Sequence, residues 1–173
     1  FILFLLMNAT IPVNPQRILI IRLGAIGDVV RTLPALRALR SRFPESYIAW
    51  AVEEGSRDLL EGHSDLDRIF VVRRRTWSKG FLRLSTLITT LKEVVAFIRE
   101  IRDDHFDLVL DFHGILKSGV ISILSGVPVR VGLSPQFCKE CNYLFNNYHI
   151  DLETSALNRI ERNIRFIGFL GIN

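Results

Sequence analysis

From Arg17 onward the apolar and polar positions alternate between two patterns. Ile18-Leu19-Ile20-Ile21 is an unbroken apolar run, which predicts a strand buried on both faces of a parallel sheet. From Asp28, the residues Val29, Leu33, Leu36 and Leu39 recur at helical spacing, and Phe43-Pro44 predicts the stop. Gly24 and Gly27 are placed to supply a tight turn between the two. Further strands are predicted at Tyr47 to Val52, Arg68 to Val72, Phe106 to Asp111 and Pro128 to Val131. A short helix is predicted from Ser56 to Leu60 and another from Lys117 to Leu124. Between the third and fourth strands, Leu84, Leu87, Leu91, Val94, Ile98 and Ile101 form one apolar stripe over about five turns, the mark of a long helix lying on the sheet. A last amphipathic helix is expected from about Ser155, with Leu157, Ile160, Ile164 and Ile167 on one side.

Strand and helix alternating in this way predict an α/β fold: a Rossmann-like parallel sheet with helices on both faces and right-handed crossovers. In the order 3-2-1-4-5 the connections leave the first and fourth strands in opposite directions. The crevice between their carboxyl ends is then the expected ligand site. Asp28 follows the first strand, and Asp111, His113 and Lys117 follow the fourth, so residues far apart in sequence converge there. The run Arg73-Arg74-Arg75 is expected on the same rim.

The chain has 173 residues, enough for one domain with a sizeable core. Residues 17–173 are taken as that domain and residues 1–16 as an N-terminal extension. The opening FILFLL is too short to span a bilayer and lacks a basic flank. A hydrophobic fraction of 49% excludes a disordered chain, and a formal charge of +4 suits anionic ligands or a membrane surface without requiring nucleic acid. No aromatic series or recognition motif supports nucleic acid as a partner. Cys138 and Cys141 form a C-x-x-C pair with no second pair to complete a zinc site and no thioredoxin-like context, which leaves a reduced pair in a loop of open role.

Gly24-x-x-Gly27-Asp28 lacks the dinucleotide-binding spacing, and an acid stands where a pyrophosphate needs free amides. Asp28 has two readings. It caps its helix, or it is an ionised carboxylate that accepts a proton from an attacking hydroxyl, with helix amides lowering its pKa. Arg73 to Lys79 sets four cations around Trp77, suited to phosphates, carboxylates and a stacked sugar or lipid, or else a solvated loop. His113 with Lys117 suits an anionic or hydroxylated ligand, unless the histidine is simply a hydrogen-bonded turn residue. Asp111, closing an apolar strand, is read as pinning the following turn through backbone amides.

The segments Ile-Arg-Leu-Gly-Ala-Ile-Gly-Asp-Val-Val-Arg-Thr-Leu-Pro-Ala-Leu (21–36), Trp-Ala-Val-Glu-Glu-Gly (50–55), Asp-Arg-Ile-Phe-Val-Val-Arg-Arg-Arg (67–75), Phe-Asp-Leu-Val-Leu-Asp-Phe-His-Gly-Ile-Leu-Lys-Ser (106–118) and Arg-Ile-Glu-Arg-Asn (159–163) follow one another in an order that resembles glycosyltransferase family 9, the lipopolysaccharide heptosyltransferases. The resemblance covers nearly the whole chain from Arg17. It implies the N-terminal, acceptor-binding half of a GT-B glycosyltransferase, with the donor-binding half beyond Asn173. It further implies an inverting transfer of heptose from ADP-heptose to a lipopolysaccharide-core acceptor, Kdo-lipid A or heptosylated core, with no metal or other cofactor. Asp28 falls on the family's proposed general base. The acceptor-binding set on this reading is Gly24, Ala25, Gly27, Arg73, Arg74, Arg75, Lys79, His113 and Lys117. A cytoplasmic protein peripheral to the inner membrane is implied as well. The chain departs from the family at His113-Gly114, where Gln-Gly is usual, which points to a different acceptor or acceptor orientation. Competing expectations are another nucleotide-sugar enzyme on a similar sheet and a non-catalytic module for anionic glycan or membrane surfaces.

Overall fold

A computed structural model describes residues 14–152 and 157–172. Most of the expected N-terminal extension, residues 1–13, and the expected helix start near Ser155 lie outside the described residues.

Six parallel strands run in the order β3-β2-β1-β4-β5-β6. They are β1 (Arg17–Ile21), β2 (Tyr47–Glu53), β3 (Arg68–Val72), β4 (Leu108–Asp111), β5 (Val129–Leu133) and β6 (Tyr148–Ile150). The first five follow the expected order. The three-residue β6 was not expected, because a strand this short, half-exposed and at the sheet edge carries no apolar run. Ile18 to Ile21 of β1 are fully buried between two cores. Alternate side chains explain both: Ile18 and Ile20 join the core beneath α1 (Ile26–Arg42) and α5 (Arg159–Ile167), while Leu19 and Ile21 join the one beneath α3 (Leu84–Asp103) and α4 (Leu116–Leu124).

Four local expectations change. The first helix begins at Ile26 with Ala25 as its flanking residue, so Gly27 lies in its first turn rather than in the connection. Arg74 to Phe81 is a helix, α2, and not a loop. Its fit against α3 depends on Gly80, where a Cβ would overlap the Thr90 side chain. The apolar stripe of α3 is only partly seated: Thr90, Phe97 and Ile101 are buried, whereas Leu84 and Leu91 of the expected stripe are exposed. On α5 the buried residues are Phe166 and Ile167, and Ile160 is exposed.

Candidate active site

The carboxyl ends of β1 and β4 diverge around a cavity of about 380 Å³ that α5 borders on one side. Asp28, His113 and Gly114 line it, as the topology leads one to expect. Five cations also line it, namely Arg22, Arg31, Lys139, Arg159 and Arg162, against Asp28 as the one carboxylate among the lining residues. The chamber is therefore strongly cationic.

Asp28 is the third residue of α1, and among the described residues no backbone amide donates to its side chain. Its oxygens go instead to guanidinium groups. Arg22 Nη2 lies 2.9 Å from Oδ2 and Arg31 Nη1 lies 3.4 Å from Oδ1, and Arg159 donates to Oδ1 as well. Burial pushes the carboxyl up, but the Arg22, Arg159 and Arg31 charges outweigh this and hold it below the ordinary carboxylate value. The cause of the depression is thus arginine rather than the helix amides expected from sequence. Arg22 is itself held by the Phe112 carbonyl, and its Nε has no partner among the described residues. Asn163 of α5 donates to the Arg31 carbonyl and to Thr32 Oγ1, both at 3.0 Å, which fixes α5, and with it Arg159, beside the start of α1.

His113 is set by two neighbours. Its Nδ1 accepts from the Leu23 amide at 3.0 Å, so the proton of the neutral ring resides on Nε2. Burial, reinforced by the Arg22 charge, lowers its pKa to about 4. The turn that carries it is pinned by Asp111, which is fully buried. Asp111 Oδ1 accepts from the His113 and Gly114 amides at 3.0 and 3.2 Å. Its Oδ2 accepts from Ser118 Oγ at 3.0 Å, Asn142 Nδ2 at 2.7 Å and Asn146 Nδ2 at 3.4 Å. Burial raises the Asp111 pKa against the opposing pull of these donors. Gly114 has φ +68°, a conformation that L side chains rarely adopt, so glycine is required there. The pinning role read from sequence for Asp111 is what the structure contains.

The unfolded histidine titrates near 6.5 and the folded one near 4. The unfolded chain therefore binds more protons between these values, and stability falls as pH falls through that window. In His113→Gln an amide oxygen can replace Nδ1 as acceptor without titrating. Thermal unfolding from pH 7 to pH 4 is expected to show a shallower acid loss in the variant, on the order of 2 kcal/mol less at the acid end. Parallel curves for the two proteins would remove His113 from the account.

The other candidates lie elsewhere. Lys117 is exposed on α4 and does not line the cavity. Arg73, Arg75 and Lys79 are exposed around α2, also outside it. Arg74 pairs with Glu53 at 3.0 Å. Glu53 donates its amide to the Leu23 carbonyl, so only the start of α2 adjoins the rim. Trp77 does not stand free among cations: its Nε1 donates to Glu93, and its ring meets Phe97 edge-on at 5.3 Å. Gly24 and Ala25 form the connection from β1 to α1, where the Ala25 carbonyl accepts from the Asp28 and Val29 amides. Arg22, Arg31, Lys139, Arg159 and Arg162 were missed as site residues. The available signals were Arg22 at the end of a buried strand, Arg31 three residues beyond Asp28, and the Arg-Ile-Glu-Arg-Asn segment.

Residues 94–168 match the family model described as glycosyltransferase family 9 (heptosyltransferase). The chain is 31% identical over 147 residues to lipopolysaccharide heptosyltransferase 1 of Salmonella typhimurium, covering 83% of this chain and 45% of that protein. To its Pseudomonas aeruginosa namesake it is 31% identical over 127 residues, 72% of this chain and 34% of the relative. The fold is similar to that of E. coli heptosyltransferase WaaC, solved with ADP-2-deoxy-2-fluoro heptose. The TM-score is 0.79 at 28% identity, over 91% of this chain and 49% of WaaC. E. coli ADP-heptose lps heptosyltransferase II shares the fold at a TM-score of 0.61 and 18% identity. The chain spans about half the length or less of the relatives it matches. In sequence and in fold alike, the chain is similar to glycosyltransferase family 9 over the parts that match.

Proposed function

We propose that this chain is the acceptor-binding half of a heptosyltransferase, residues 17–173 forming its Rossmann-like domain, with a donor-binding half completing a GT-B enzyme. The observation that carries the reading is Asp28, ionised and held at the strand-order reversal in a cavity lined by five cations. The acceptor is a lipopolysaccharide core, Kdo-lipid A or its heptosylated form. Its carboxylates and phosphates suit guanidinium forks. The donor is ADP-heptose.

In the reaction the acceptor hydroxyl attacks the anomeric carbon of heptose. The new C–O bond forms as the bond to ADP breaks, ADP leaves with the electron pair, and configuration inverts. Asp28 takes the hydroxyl proton. Its oxygens are shared by three arginines, so one must be released first. Arg31 and Arg159, with side chains 48% and 61% exposed, are the two that acceptor anions can draw away, whereas Arg22 is 12% exposed and stays. His113, neutral and donating from Nε2, orients a hydroxyl of the acceptor. Gly24 and Ala25 of the β1–α1 connection and Gly27 of the first turn of α1 set the backbone that leads to Asp28, outside the residues that line the cavity. Arg73 to Arg75, Lys79 and Lys117 attract the anionic acceptor from outside the cavity. No metal ion enters this scheme, and nucleic acid is not a partner. The protein acts in the cytoplasm at the inner face of the membrane, in peripheral contact with it; no helix among the described residues is long and apolar enough to cross a membrane.

Incubation of the full-length protein with ADP-heptose and Kdo-lipid A, followed by mass spectrometry, tests the reading. Gain of one heptose with release of ADP is the expected result. Acceptor binding without transfer would favour a glycan-binding module instead.

A further inference from the structure

The helix α3 carries two apolar faces, and only one of them is used. Thr90, Phe97 and Ile101 are buried, with Leu87, Val94 and Ile98 half-buried beside them. Leu84, Ile88, Leu91 and Val95 stand at successive spacings of four, three and four residues, which places them on one stripe about 100° around the helix from the buried set. All four are exposed, Leu84 at 92% and Ile88 at 67%. Phe81, the last residue of α2, and Leu82, in the turn that follows, are exposed just before the stripe in the chain, with Leu82 at 86%. Four large apolar side chains thus share one crest, and two more exposed ones lead into it. Single exposed leucines are ordinary on a protein surface, but a contiguous row of this kind marks a contact site.

The charges around the crest indicate its partner. From Arg73 to Lys92 the chain has six lysines and arginines and no acid. Arg74 pairs with Glu53, whereas Arg73, Arg75, Lys79 and Arg83 are exposed along the segment that leads into the crest. Lys92 and Arg99 lie on the flank of the α3 stripe, where long aliphatic stems allow an ammonium or guanidinium to reach a plane of headgroups while the leucines go below it. The hairpin is rigid enough to present this face. Gly80 packs directly on Thr90, Thr86 Oγ1 donates to the Gly80 carbonyl at 3.0 Å, and Trp77 clamps to Glu93 and Phe97.

We infer that the α2–α3 crest seats the protein on an anionic phospholipid bilayer. Leu82, Leu84, Ile88 and Leu91 enter the acyl boundary, and the surrounding cations pair with lipid phosphates. The choice of a bilayer rests on the proposed function, whose acceptor is itself lipid-anchored. The start of α2 adjoins the Leu23–Ala25 connection through Arg74 and Glu53, so a crest seated on lipid leaves the cation-lined cavity close to the membrane surface.

Flotation of the full-length protein with vesicles of phosphatidylcholine, with and without phosphatidylglycerol, tests the inference in the absence of any sugar substrate. Binding is expected to the anionic vesicles and to weaken as salt is raised. The triple variant Leu84→Ser, Ile88→Ser, Leu91→Ser changes only exposed side chains and is expected to bind at least about tenfold more weakly with an unchanged Tm. Transfer to an acyl-free acceptor should be equal for the two proteins. Absence of wild-type binding, or equal binding by the triple variant, overturns the inference whatever the transfer assay returns. A dimer that the triple variant dissociates, with no vesicle binding, overturns it in favour of a second copy of the chain.

Discussion

Asp28→Ala in the full-length protein is expected to lower kcat by about a hundred- to ten-thousandfold, with KM for the acceptor not raised, since Arg31 and Arg159 lose the carboxylate that competes for them. The reasoning is that Asp28 acts when the proton moves, whereas the surrounding cations hold the acceptor in ground and transition states alike. Asp28→Asn is the sharper comparison. It preserves size and an oxygen for Arg22 but cannot accept the proton, so its kcat should fall nearly as far. Both variants strip the counter-ion from Arg22, which is 12% exposed, so their Tm values must be read alongside. Turnover within a few fold of wild type in either variant would assign Asp28 to structure alone. The depressed pKa gives a second check. With Asp28 held below the ordinary carboxylate range and His113 near 4, neither group titrates between about pH 5 and pH 8. The acid limb of kcat/KM should therefore lie below pH 5, provided the substrate's own groups do not titrate there.

Asp111→Ala is expected to cost the fold about 3–5 kcal/mol, the largest stability effect of any single change near the site. The carboxylate satisfies two backbone amides and donors from Ser118, Asn142 and Asn146, all in the interior. Removing it strands these groups without water. Asn142 and Asn146 keep each other, since Asn146 Nδ2 donates to Asn142 Oδ1 at 3.1 Å, so the loss stays short of the full sum. Urea denaturation of the chain with and without the substitution measures it, and a change under about 1 kcal/mol would show that the cluster relaxes or admits water.

Regular structure was legible where one residue type dominates a run. The Ile18 to Ile21 strand, the Arg68 to Val72 strand and the strand order all followed from apolar patterning and crossover handedness. The site was legible only through residues adjacent to strand ends. Asp28, His113 and Asp111 are such residues, and the first two line the cavity. Arg159 lies 131 positions from Asp28, and nothing local to either residue signals their contact. Lys139 sits between two cysteines that drew attention to themselves. The run from Arg73 to Lys79 misled because clustered cations read as a loop, whereas Gly80 against Thr90 and Trp77 against Phe97 make it a helix with its own packing. The α3 stripe misled differently. Periodicity identifies an apolar face but not whether a sheet covers it.

The three arginines on Asp28 come from three places in the fold: Arg22 from just after β1, Arg31 from α1 and Arg159 from α5. The strength of the base is therefore a property of how those elements are docked, and not of the aspartate's own neighbourhood in sequence. Asn163 fastens α5 to the Arg31 carbonyl and Thr32, one helical turn from Asp28. A displacement of α5 along α1 would withdraw one positive charge and leave the carboxylate more basic, with β1 unmoved. Helix docking and proton affinity are in this way a single adjustable quantity.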